Sequence, residues 1–154
     1  MPTIIKRTTI LVRNMDKTLE FYRDILGLNV NYDEELTLAE ELRPAGNAGD
    51  KVRLVMVAGE QPESGVIGLL QWIDPPMAGA DPNNQVGYGN PVFVLTVDDV
   101  QAIYEQAQAA GLKLLNPPAE LVFPAIGGGE VRIRSIGVFD PDGHFLECNQ
   151  HLSG

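Results

Sequence analysis

Apolar and polar positions along the chain fall into two kinds of period, and they do so twice. Thr8-Thr9-Ile10-Leu11-Val12 and Val92-Phe93-Val94-Leu95-Thr96-Val97 are short β-rich runs that predict strands. Each is followed by an apolar stripe at helical spacing: Met15, Leu19, Tyr22 and Leu26 first, then Val100, Ile103, Tyr104, Ala107 and Ala110. Asn14 and Asp98 stand where an N-cap side chain accepts a backbone N–H, and Gln101 follows Asp98 as in a capping box. Gly27 and Gly111 stand where helices end on a left-handed residue.

Further strands are expected at 28–32, 52–58 and 66–72, and again at 112–115, 131–139 and 145–150. The order is therefore βαβββ, repeated. This predicts an α+β domain spanning 1–154, with modules at about 4–73 and 92–152 joined by a Pro-, Gly- and Asn-rich linker at 74–91. Long loops are expected at 33–51 and 116–130. Each helix covers one face of its sheet. The two uncovered faces are expected to form an open mixed β-barrel or cleft with the helices outside, the natural place for a small ligand.

Composition narrows the function without naming it. Hydrophobic residues make up 44% of the 154 and charged residues 21%, the balance of an ordinary globular domain. No apolar run approaches the 18 or so residues of a membrane span. The start lacks a long apolar segment with a small-residue cleavage site, so no leader is expected. Cys148 is the one cysteine, which leaves no intramolecular disulfide and no Cys-rich metal site, and points to a reducing cytoplasm. The net charge of −10 disfavours nucleic acid and anionic membranes as partners and favours a cationic ligand.

Strand parity groups side chains by face, and if the faces of Gly68 and Glu147 turn inward the lining of the cleft follows. Phe145, Glu147 and Asn149 share a face, with Cys148 on the helix side. Leu70 and Trp72 share a face with Gly68. Arg7, Thr9 and Leu11 share another, as do Val92, Val94 and Thr96. The lining is apolar, with Thr9, Thr96, Asn149 and Glu147 as polar anchors and Trp72 placed to stack on a planar or cationic ligand. Glu147 is the candidate catalytic residue, because a carboxylate among apolar side chains is a recurrent general base. Gly127-Gly128-Gly129 lacks the strand–loop–helix context of a phosphate loop and is read as a loop tip. Arg132 and Arg134 share a face and are read as exposed charge.

The segment 12–28, with Phe21-Tyr22 and Leu26-Gly27, resembles the first strand and helix of vicinal oxygen chelate proteins, the superfamily of glyoxalases, bleomycin-resistance proteins and extradiol dioxygenases. Asp140-Pro141-Asp142-Gly143-His144-Phe145-Leu146-Glu147 resembles their closing turn and last strand. The resemblance implies a small-molecule site in the central cleft and a homodimer. It implies four metal ligands at Arg7, Gly68, Val92 and Glu147, of which only Glu147 is a ligand type. His144 and His151 do not share both parity and reach with Glu147. No cofactor is expected, although an unconventional divalent site stays open. An Arg7–Glu147 ion pair is expected to replace the metal. Two functions follow: a metal-free small-molecule-binding protein of bleomycin-resistance type, or a glyoxalase-like lyase or isomerase that uses Glu147.

Overall fold

Alternation along the first strand sets the plan of the structure, a computed structural model that describes residues 2–39, 44–61 and 64–152. Ile10 is buried, while Arg7, Thr9 and Leu11 point to the other face. The chain divides into two units, Met1–Ala80 and Asp81–Gly154.

The first unit runs β1 (Arg7–Leu11), α1 (Met15–Leu19) continued by a π-helical turn (Glu20–Ile25), β2 (Asn29–Thr37), β3 (Lys51–Ala58) and β4 (Val66–Asp74). The second runs β5 (Val92–Thr96), α2 (Val100–Ala109), β6 (Ala119–Pro124), β7 (Glu130–Phe139) and β8 (Phe145–His151). The sheet orders are β1-β4-β3-β2 and β5-β8-β7-β6. In both, the first strand pairs parallel with the last, and the remaining pairs are antiparallel. The α+β class and the repeated βαβββ order match the expectation from the sequence. The two sheets are separate and neither is closed into a barrel.

The helix-covered faces hold much of the core. In the first unit Ile10, Val12, Val55, Val57, Ile67 and Leu69 are buried, as are Met15, Leu19, Phe21 and Tyr22 from the helix. Burying side chains of this size contributes about 1.5–3 kcal/mol each. The π turn explains why neighbours Phe21 and Tyr22 both turn inward. Leu26 N–H reaches back to Phe21 O at 2.9 Å, and this widened turn moves the buried stripe round by a residue. The two rings then meet edge to face at 4.9 Å. In the second unit Val100, Ile103 and Ala107 of α2 are buried, as are Ile136, Val138, Leu146 and Cys148. Tyr104 is half-buried and Ala110 exposed, so the expected stripe is narrower than its sequence.

Beyond shifts of a residue or two at strand ends, the structure departs from the sequence reading in several places. The cap of α2 is Asp99, not Asp98: its Oδ1 accepts Ala102 N–H at 3.1 Å. Gln101 makes no capping box and bonds Glu105 one turn on, at 3.0 Å. β2 continues to Thr37, through acidic residues that suit an exposed edge strand. The expected strand at 112–115 is a single bridge, Leu114 to Val138, while β6 forms inside the expected loop at 116–130. Pro117 and Pro118 lack N–H groups and break the ladder between these stretches. The side-chain amide of Asn116 spans the break. Its Nδ2 donates to Ser135 O at 3.1 Å and its Oδ1 accepts Gly137 N–H at 3.1 Å.

Candidate functional site

Glutamine side chains identify the two faces of each sheet. Gln71 on β4 accepts the N–H of Met15, the first residue of α1, at 2.9 Å. Gln150 on β8 accepts the N–H of Val100, the first residue of α2, at 3.0 Å. The neighbours of opposite parity therefore lie on the helix-free faces: Gly68, Leu70 and Trp72 in the first unit, Phe145, Glu147 and Asn149 in the second. Every candidate residue named from the sequence stands on one of these faces.

On the first, Thr9 pairs with Gly68 and Leu11 with Leu70, and across β3 these meet Met56 and Leu54. A Cβ on Gly68 would lie 2.8 Å from Thr9 Oγ1 and 3.1 Å from Arg7 Cδ. The missing side chain is the room through which Arg7 crosses the sheet, and its Nη1 donates to Met56 Sδ at 3.2 Å. Leu70 and Trp72 join Val52 and Leu54 in a buried cluster against which Tyr32, Leu38, Ala45 and Met56 pack. Trp72 is 5% exposed, and its Nε1 donates to buried Asp50 at 3.0 Å. The same Asp50 oxygen accepts Asn47 N–H at 2.8 Å. Gly46, at φ +70°, lies over the indole so closely that a Cβ there would be 2.4 Å from Nε1. Trp72 is thus packed beneath the loop that carries Gly46 and Asp50.

On the second face, Val92, Val94 and Thr96 of β5 pair with Phe145, Glu147 and Asn149 of β8. On the far side of β8, Phe139 pairs with Phe145, Gly137 with Glu147 and Ser135 with Asn149. Gly137 again makes room: a Cβ there would be 2.6 Å from the Phe145 ring, which lies over it and meets Phe139 at 5.0 Å. A short polar chain runs through this apolar setting. Ser135 Oγ donates to Asn149 Oδ1 at 2.6 Å, and Asn149 Nδ2 donates to Glu147 Oε2 at 3.4 Å. Ser135 and Asn149 are buried, Glu147 and Phe145 half-buried, and Val94 is 63% exposed. Cys148 faces the helix side and is fully buried. Burial, helped by the neighbouring Glu147 charge, pushes its thiol up to about 12, which makes it inert as a nucleophile.

Arg7 and Glu147 belong to different units, and each has a partner in its own. Ser135, Asn116, Met56 and Asp50 are site neighbours that the sequence reading did not single out. Ser135 and Met56 lie in expected strands, whose alternation is the signal for them, whereas Asp50 and Asn116 lie in expected loops. Arg134 pairs with Glu120 across β6 and β7 at 3.1 Å. The Asp140–His144 segment is a tied turn. Asp140 Oδ1 accepts the N–H groups of Asp142 and His144 at 2.9 and 2.8 Å, and Oδ2 lies 2.9 Å from His144 Nδ1. A depression of about 590 Å³ borders this turn beside residues 111–114, and no candidate site residue lines it. Among the described residues no three His, Cys, Asp or Glu side chains gather closely enough to hold a metal ion. No helix among them is long and apolar enough to cross a membrane.

This architecture is shared with known proteins. The chain is similar to a glyoxalase family protein from Bacillus cereus, at 20% identity over 97% of this chain and 94% of that one, with a TM-score of 0.71. It is similar to the trypanothione-dependent glyoxalase I of Leishmania major, at 19% identity over 97% and 87%, with a TM-score of 0.62. An antibiotic-binding protein from a Streptomyces species matches at 20% identity over 98% of each chain, with a TM-score of 0.56. Comparison with curated proteins gives no match. At the level of sequence, the model of the Glyoxalase/Bleomycin resistance protein/Dioxygenase superfamily matches residues 4–148. With nearly its whole length matched and its βαβββ order repeated, the chain belongs to that superfamily.

Proposed function

We propose that this chain binds a small molecule on its helix-free sheet faces, as a bleomycin-resistance-like protein without a four-ligand metal site. The observation that carries the reading is what stands at the four positions where the resemblance places ligands. Arg7 is a permanent cation resting on Met56, and a guanidinium cannot coordinate a metal ion. Gly68 and Val92 bring no donor atom. Glu147 remains, and a single carboxylate does not build a divalent site. The donors present do not fit the metal that the family resemblance implies.

The face around Glu147 supports ligand binding: an apolar floor, a few polar anchors and open area on β5. The similarity to an antibiotic-binding protein of the same fold is consistent with it. The lone, buried Cys148 agrees with a reducing cytoplasm, and we place the protein there as a homodimer. Metal content of the purified protein, with a titration of Ni, Zn, Fe and Mn, tests the reading. Negligible metal and no uptake are expected. About one tightly bound ion per chain overturns it.

A second reading rests on the same carboxylate. Set between Val94 and Phe145, Glu147 is placed to move a proton in a glyoxalase-like lyase or isomerase. That reading requires turnover that is lost in Glu147→Gln while the fold is kept. Full activity in the variant removes it.

A further inference from the structure

We propose that Asn149, itself held by Ser135, positions the Glu147 carboxylate to receive an amphipathic organic cation, a ligand class that deepens the small-molecule reading above and rests on it. The hydrogen-bond chain has a fixed direction. An ionised carboxylate only accepts, so the Asn149 amide turns Nδ2 toward Glu147 and Oδ1 toward Ser135. Ser135 then has to donate, which it does at 2.6 Å. The bond from Asn149 Nδ2 reaches Glu147 Oε2 at 3.4 Å. Oε1 has no hydrogen-bond partner among the described residues.

The surroundings of Oε1 define what it receives. Val94 stands beside Glu147 on β5, and Gly137 contributes no side chain on β7. The Phe145 ring covers Gly137 and is backed by Phe139. A cationic head on Oε1 gains a charge-assisted hydrogen bond, and a planar or alkyl body beside it gains the Phe145 and Val94 surfaces. A neutral ligand gains the second and at most an uncharged N–H bond to Oε1, about half as strong. The net charge of −10 adds long-range attraction of the same sign. Ser135 and Asn149 act through Glu147 and touch no ligand themselves; they are positioning residues.

The test uses a matched pair of fragments, benzamidinium and its neutral isostere benzamide, titrated into the full-length protein and followed by two-dimensional NMR. Benzamidinium should bind about tenfold more tightly, and its binding should move the side-chain amide resonances of Asn149. Glu147→Gln should equalise the two fragments. Ser135→Ala should weaken benzamidinium about threefold or more, and Ser135→Thr, which restores the hydroxyl, should recover it. Equal affinity for both fragments, no measurable binding of either, an unmoved Asn149 amide, or no recovery in Ser135→Thr overturns the proposal. If benzamide binds as well as benzamidinium, the small-molecule reading stands and the choice of a cation falls. If neither binds and a wider set of compounds also fails, both fall together.

Discussion

The side-chain oxygen of Gln150, on the last strand of the second unit, accepts the backbone N–H of Val100, the first residue of α2, at 3.0 Å. Gln71 does the same for Met15 and α1 at 2.9 Å. Helix N-termini leave donors without intrahelical partners, and here the last strand supplies an acceptor in each unit. Asn14 and Asp99 satisfy a second donor at each helix start. Replacing Gln71 or Gln150 by Leu leaves a part-buried N–H unpaired and should cost about 1–3 kcal/mol in urea unfolding. Gln150→Glu keeps an acceptor and puts negative charge at a helix N-terminus, so it should cost less.

The contact between Trp72 and Asp50 makes the loop at 44–50 part of the first unit's core. Asp50→Leu removes the acceptor for a buried indole N–H, with an expected loss of about 1–3 kcal/mol. Trp72 is the only tryptophan, so its emission should shift to the red as the loop loosens. Gly46→Val should act in the same direction through a clash at 2.4 Å with Trp72 and a strained φ of +70°. An unchanged emission maximum in both variants would separate the loop from the tryptophan.

Asn116 stands in for a missing piece of ladder between β7 and the Pro117-Pro118 break. Asn116→Leu leaves Gly137 N–H without its acceptor and should destabilise by about 1–3 kcal/mol. Hydrogen exchange should show faster exchange at Gly137 than at Ile136 on the same strand.

Much of this was legible in the sequence, and the losses have physical causes. Parity along β1, β4, β5 and β8 grouped Arg7, Leu70, Val94 and Glu147 with the neighbours that share the helix-free faces, because strand alternation is local. β6 was missed because Pro117, Pro118 and Pro124 signal a break and not an edge strand. The extension of β2 was missed because Asp33, Glu34 and Glu35 have low strand propensity, and the salt bridge from Arg53 that joins Asp33 is a cross-strand contact. The cap moved from Asp98 to Asp99 because adjacent residues of one type offer the same side chain one step apart. The burial of Phe21 followed from a π turn, which a period of 3.6 does not anticipate. The Trp72–Asp50 and Ser135–Asn149 bonds depend on tertiary placement, so parity named Trp72 and Asn149 but not their partners.

The Asp33–Arg53 pair predicts part of the acid response. Two bonds, at 2.9 and 2.8 Å, tie the guanidinium to the carboxylate. The hydrogen bond from Arg53, then its charge, hold the Asp33 carboxyl below its usual value against some desolvation. A carboxylate lowered in the folded state stabilises the fold above the unfolded value. That stabilisation is lost as pH falls through the folded value. Asp33→Asn should therefore lower stability near neutral pH and flatten the fall in stability below about pH 4. The pair is partly solvent-exposed, so the effect should be small and reduced by salt. An acid limb as steep as that of the unaltered protein would remove this pair from the account.

Ligand binding without a metal is the centre of the account, and thermal unfolding in the presence of compounds tests it most directly. A set of aromatic and cationic small molecules is scanned for a rise in Tm, once in EDTA and once with added Ni, Zn, Fe or Mn. A ligand that binds the folded state raises Tm in proportion to its saturation. Stabilisation by one or more compounds is expected, the same in EDTA as with added ions and reduced in Glu147→Gln. Stabilisation that appears only when a divalent ion is supplied would contradict it.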